Sequence, residues 1–310
     1  GSIGFNSYRG FESLSLRHNI ECSMNTPKAI HWFRQDLRLS DNPALFEAAK
    51  NSSILPIYIL DDINSKELAM GEASRFWLHH SLNSLNKSLD QNLSIYSGDP
   101  ITVILDIIDR LDIKEIFWNR CYEPWRINRD THIKKELESK GIKVNTLNGS
   151  LLWEPWTIKK GDGTPYKVFT PYFRKGCLLS DEPRKPISTP INLDLFNDNN
   201  SLKDINALSL LPSTKWDIKM KSFWNIGELG ANNRLTEFLN NGVENYKVGR
   251  NIPSKPFVSR LSPHLHFGEI SPNQAWYAAR HLGDSSCIDY NHNTNFCIKT
   301  FKSIRYFCNN

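Results

Sequence analysis

Short apolar-rich runs alternate with longer stretches of helical periodicity through the first half of the chain. Residues 29–33, 54–60, 93–96, 115–118 and 143–147 are brief and bounded by polar or turn-forming residues, which predicts buried strands. The stretches between them read as helices. Pro43 suits a first helical turn, with Asp41 or Asn42 placed to cap it. Leu78, Leu82, Leu85 and Leu89 are spaced to line one face of a helix over 72–90. Asp99-Pro100 opens the next helix, and another runs from Pro124 to Lys140 and stops at Gly141. Repeated strand–helix alternation predicts a doubly wound α/β fold, a parallel five-stranded sheet covered on both faces, over residues 28–150.

The pattern changes after residue 150. Prolines at 155, 165, 171, 183, 186, 190 and 212, with an Asn/Asp/Ser-rich run near 194–204, predict a long irregular linker over 151–224. Helical signal resumes at 229–241, and Ser271-Pro272 starts a further helix carrying Trp276 and Tyr277. Residues 225–310 are therefore read as the start of an all-α domain. Residues 1–27 have no periodicity and are left out of the predicted fold. Met24 is a candidate natural start, and Glu12 and Glu21 argue against an organelle leader.

Composition narrows the class. Of 310 residues 39% are hydrophobic and 23% charged, enough for two ordinary globular domains. No apolar run is long enough to cross a bilayer and no secretory h-region is visible, so no membrane association is expected. The net charge of +5 suits a polyanionic partner without requiring one. Cys22, Cys121, Cys177, Cys287, Cys297 and Cys308 form no CxxC pair, which points to idle or buried thiols in a reducing compartment, the cytoplasm. Neither GxGxxG nor GxxxxGK[ST] occurs in the first half, so a Rossmann dinucleotide site or a P-loop there is unsupported.

Four segments carry a family resemblance: His31-Trp32-Phe33-Arg34-Gln35-Asp36-Leu37-Arg38-Leu39-Ser40-Asp41-Asn42-Pro43, Trp118-Asn119-Arg120-Cys121-Tyr122-Glu123-Pro124, Tyr166-Lys167-Val168-Phe169-Thr170-Pro171-Tyr172, and 259–272 with Ser259-Arg260-Leu261-Ser262-Pro263-His264 at its head. In order and spacing they resemble the DNA photolyase/cryptochrome family, over about residues 29–280. The resemblance implies a flavin enzyme: light-driven repair of cyclobutane pyrimidine dimers in UV-damaged DNA by electron transfer from reduced FAD, in a monomer. It implies that Tyr246 and the loop Ser259, Arg260, Leu261 and Ser262 hold the FAD diphosphate, with Val258 where the family usually has threonine. It implies that Arg250, four residues beyond Tyr246, faces DNA. A second antenna chromophore, a folate or a deazaflavin, is expected near the loop after Phe33 and the 119–123 stretch; Arg126 stands where some folate-binding members carry an acid.

Chemistry read from the residues agrees. Two hydroxyls, a guanidinium and the free N–H groups of a helix start suit anionic oxygens. His264 and His266 have no accompanying ligand cluster and read as structural rather than metal-binding, and Trp118, Trp125, Trp153 and Trp156 as core or interface residues. Dimer splitting needs no general acid, nucleophile or metal, and none is assigned. In the family, a Trp-Arg-Glu-Phe signature follows the Ser-Pro stretch. The nearest run here is Ile304-Arg305-Tyr306-Phe307, so the chain is expected to be truncated within the FAD-binding domain, to bind FAD poorly and to repair little alone. Two rivals share the same sequence: a cryptochrome-type blue-light receptor, and a non-catalytic nucleotide-binding α/β protein holding an adenosine nucleotide in its first domain.

Overall fold

The computed structural model describes residues 26–202, 204–252 and 254–283. The readings made on residues 1–25 and 284–310, including the four outer cysteines and the 304–307 run, lie outside the described residues.

Five parallel strands form one sheet in the order β3-β2-β1-β4-β5. They are β1 (Lys28–Phe33), β2 (Ser53–Leu60), β3 (Ser94–Ser97), β4 (Glu115–Asn119) and β5 (Lys143–Leu147). The apolar runs marked all five, with ends shifted by a residue at most. Strand β1 is central, pairing Lys28 with Ser53 on one side and Ala29 with Glu115 on the other. Its side chains alternate between two separate cores. Ala29 and Phe33 pack with Leu78, Leu82 and Leu85 on one face, while Ile30 and Trp32 pack with Ile104, Ile107, Ile133 and Leu137 on the other. Each face is thus sealed by helices: α1 (Pro43–Ala48) and α2 (Glu72–Ser88) on the first, α3 (Pro100–Leu111) and α4 (Pro124–Ser139) on the second.

Of the two candidate caps for α1, the structure uses Asn42, whose side chain accepts from Leu45 N at 3.1 Å. Asp41 is fully buried at φ +49° and has a different task. Its carboxylate accepts from Arg184, from Ile187 N and from the Ser271 hydroxyl, so one acid joins the sheet to two distant parts of the chain. Helix α4 ends at Ser139, one residue earlier than expected, with Gly141 in the left-handed region (φ +78°) turning the chain into β5.

The described residues of the 151–224 stretch form no regular strand, but the stretch is anchored. Short bridges tie Leu195 to Ile54 and Leu202 to Ile95. Asp198 accepts from Tyr96 Oη at 2.6 Å and from both terminal nitrogens of Arg110. These donors outweigh the cost of burying the Asp198 carboxylate and hold its pKa down at about 2. Against the expectation of an irregular linker, the end of the 151–224 stretch folds into α5 (Asp217–Phe223), and beyond it come α6 (Glu228–Asn241), the single turn α7 (Tyr246–Gly249), α8 (Ser262–Phe267) and α9 (Pro272–Gly283). Leu235, Phe238, Leu239, Leu261, Leu265 and Trp276 give this region a core of its own.

His31 makes the α/β part acid-sensitive. It is fully buried in β1, and neither ring nitrogen has a hydrogen-bond partner. Burial, against a smaller opposing pull from Asp36, lowers its pKa to about 4. The fold therefore prefers the neutral ring, and this contribution is complete above the unfolded value of about 6.5 and is lost as pH falls from there towards 4. His31→Leu is expected to remove about 2–3 kcal/mol of the stability difference between pH 7 and pH 4.5, read from urea midpoints. An unchanged difference would show that the ring is not the acid-sensitive group.

Candidate cofactor sites

The 259–262 turn is built at the entry to α8. Leu261, at the cap position, is buried in the core of the helical region, while Arg260 beside it is exposed at φ +51°. Ser259 Oγ accepts weakly from Leu261 N at 3.4 Å and shapes the turn. Ser262 belongs to the first helical turn rather than to the preceding loop, and its side chain is exposed. The turn thus displays a guanidinium and a hydroxyl beside first-turn N–H groups that no helical carbonyl can satisfy. These groups fit an anionic oxygen ligand. With only six residues in α8, the N–H groups matter more than any macrodipole.

Tyr246 reaches the same core from α7, edge-on to Phe238 with centroids 5.7 Å apart, and shares the cluster with Leu261. The i,i+4 relation to Arg250 is realised as one helical turn, since Arg250 N donates to Tyr246 O at 3.0 Å. Arg250 is exposed where Tyr246 is buried. Close approach of Gly249 to Phe257 locks this turn: a Cβ there would sit 2.4 Å from the ring. The structure therefore brings Tyr246, Leu261 and the adjoining Ser259, Arg260 and Ser262 to one packed unit, with Val258 half-buried against it.

His264 is buried, and its Nδ1 is bonded to the Glu269 carboxylate, which also accepts from Trp77 Nε1 at 3.0 Å. His266 is exposed. Among the described residues no group of His, Cys, Asp and Glu is placed to hold a metal. Of the four tryptophans read as structural, Trp118 is core and Trp153 packs edge-on to Trp276, but Trp156 is 54% exposed under the Arg120 guanidinium.

A cavity of about 340 Å³ lies at the carboxyl ends of β1 and β2, lined by Trp32, Arg34, Tyr58, Asp61, Trp125, Arg126, Arg129 and Phe267 among others. Of the two places where an antenna is expected, the loop after Phe33 borders this cavity and the 119–123 stretch reaches it only through Glu123. Asn119 is spent on the fold, donating to Asp36 and Asn42, and Arg120 and Tyr122 both bind Glu154. The lining residues that sequence reasoning missed include Tyr58 and Asp61 at the end of β2, Trp125 and Arg129 in the first turns of α4, and Phe267 at the end of α8. Their common signal is position, since ligands of α/β sheets collect beyond strand carboxyl ends. The crevice between β1 and β4, where a doubly wound fold usually takes a nucleotide, is filled by Arg34, which donates to Asn119 O and pairs with Asp130.

A DNA photolyase family model matches residues 29–190, just over half of the chain. The chain belongs to the DNA photolyase family. It is 36% identical over 265 residues to a deoxyribodipyrimidine photo-lyase of Agrobacterium fabrum, covering 84% of this chain and 54% of that protein. It is 33% identical over 273 residues to cryptochrome-2 of Arabidopsis thaliana, covering 82% of this chain and 43% of the relative. The crystal structure of a bacterial class III photolyase from Agrobacterium tumefaciens superposes with a TM-score of 0.82 at 35% identity, over 92% of this chain and 58% of that one. The chain spans about half the length of the curated photolyases it matches. The family's α/β sheet and the helical region after it are both present, in agreement with the sequence.

Proposed function

We propose that the protein carrying this chain is a cyclobutane pyrimidine dimer photolyase, with FAD held at the 259–262 turn. The carrying observation is that Tyr246 and Leu261 pack into one buried cluster and leave Arg260 and Ser262 displayed beside the α8 N–H groups. Bound and reduced, FAD supplies the photoexcited electron that splits the dimer. The residues of this chain hold and orient. Arg260 offers charge-assisted hydrogen bonds to phosphate oxygens, and Ser262 adds a hydroxyl at the same edge. The Tyr246 ring fixes the turn from behind. Arg250, one helical turn from Tyr246, faces outward towards the phosphates of damaged DNA, whose dimer must leave the stack to reach the flavin. The relatives include both photolyases and cryptochromes, so a photoreceptor role is the second reading. Repair of a thymine-dimer oligonucleotide under blue light separates the two.

In the gene product carrying this chain, replacing Ser259, Arg260 and Ser262 together by alanine is expected to cut FAD affinity by roughly 100-fold, measured by flavin content and fluorescence titration. Unchanged flavin content would end the diphosphate assignment.

The cavity at the ends of β1 and β2 is proposed as the antenna site. Aromatic walls from Trp32, Tyr58, Trp125 and Phe267 suit a flat chromophore, and the buried Trp32 Nε1 has no hydrogen-bond partner.

A further inference from the structure

Residues 216–224 lie against α2 as a strap fixed at both ends. At one end the Trp216 indole donates to the Glu72 carboxylate at 3.0 Å, and its ring lies 6.3 Å from the buried Phe76 ring. At the other, Trp224 packs edge-on to Trp77 with centroids 5.1 Å apart. Between these anchors none of the seven residues of α5 is buried, and Ile218 and Phe223 are 60% and 72% exposed. Apolar burial by α5 itself therefore does little to hold it down. Facing the strap, α2 carries two consecutive histidines. His79 is buried, and among the described residues its Nδ1 has no hydrogen-bond partner. Half-buried His80 stands edge-on to His79 at 5.1 Å and to Phe76 at 4.6 Å. The charged groups that bear on the pair are Lys221 and Asp217 from α5, and Asp204 at the head of the turn Ile205–Leu208. Burial and then Lys221 hold the His79 pKa below the usual imidazole value, against Asp204. Burial, His79 and Lys221 do the same for His80, against Asp217.

We propose that residues 216–223 form an acid-released strap, closed on α2 while His79 and His80 are neutral and lifted when protonation of the pair sets new positive charge beside Lys221. The device stands apart from the flavin and antenna readings. A neutral His79 tolerates its enclosed position, whereas a charged one adds a buried donor without an acceptor and a second cation near Lys221. Opening returns both rings to water, where they titrate near the ordinary value of about 6.5. The closed strap is therefore fully favoured above about pH 6.5 and progressively lost as pH falls below it. Trp224, still packed on Trp77, serves as the hinge, and release uncovers Phe76.

The test is hydrogen–deuterium exchange of the 310-residue chain at pH 7.5 and pH 5.5, with rates corrected for the intrinsic pH dependence of amide exchange. A peptide spanning 213–224 is expected to lose protection about fivefold or more at pH 5.5, while one spanning α3 changes by less than about twofold. In the double variant His79→Gln with His80→Gln, strap protection is expected to agree within about twofold between the two pH values. Circular dichroism of each variant reports the fold. Equal strap protection at both pH values in the unmodified chain, or an undiminished response in the folded double variant, overturns the proposal. Equal losses in the strap and in α3 mark global unfolding and overturn it as well. Should the double variant not fold, Lys221→Gln decides: a weakened acid response supports the strap, and an undiminished one overturns it.

Discussion

Gly268→Ala is expected to destabilise the protein by about 3 kcal/mol or more, a fall of roughly 6–12 °C in Tm. Gly268 ends α8 at φ +71°, a region that already costs a side chain about 1–2 kcal/mol. The larger part is steric. A Cβ would lie 2.0 Å from Gln35 O and 2.6 Å from Asp36 Cα, and backbone cannot rotate away as a side chain would. The contact is where the loop after β1 meets the helical region, held by Leu37 N donating to Phe267 O at 3.1 Å. Gly161→Ala, with nothing within 4 Å of the added carbon, should stay within about 0.5 kcal/mol and serves as the control. Differential scanning fluorimetry of both variants is sufficient. Equal melting temperatures would mean that the two segments separate freely.

Arg38→Met is expected to cost about 3–5 kcal/mol, read from urea unfolding. Only 1% of Arg38 is exposed, and its guanidinium donates to four carbonyls: Ser40, Asp41, Gly149 and Gly268, at 2.7–3.1 Å. Three separate pieces of chain converge on one planar fork. Methionine matches the stem but leaves those oxygens buried without these donors. Arg38→Lys should recover little, because a single ammonium cannot span the spread of acceptors. Combined with Gly268→Ala the losses should fall short of additive, since both act on one junction. A cost below about 1 kcal/mol would show that water replaces the guanidinium without penalty.

These two residues also mark the limit of what the sequence could disclose. Strands and helices were legible because their signals are local: an apolar run at 54–60, Pro124 opening α4, Gly141 closing it. The residues at 259–262 could be singled out because they are contiguous, although Ser262 proves to open α8 rather than to lie in the loop before it. Asn42 and Asp41 could not be told apart as caps, because the rival claim on Asp41 comes from Arg184, Ile187 and Ser271, far along the chain. The cavity at the carboxyl ends of β1 and β2 was half seen. Arg34 follows a recognised strand, but Tyr58, Trp125 and Phe267 share its wall only once the sheet has formed. The bond between His264 and Glu269 was not legible, because Glu269 carried no periodic or spacing signal to single it out.

The bridges from Leu195 to Ile54 and from Leu202 to Ile95 bear on solubility. Strand β3 is the outermost of the sheet on its side, and such a strand normally offers a row of N–H and C=O groups to any passing chain. Here the connecting segment lies along that margin and is fastened by Asp198 to Tyr96 and Arg110. What reads in sequence as a slack tether works as a hem, closing the border where a neighbouring molecule would otherwise zip on.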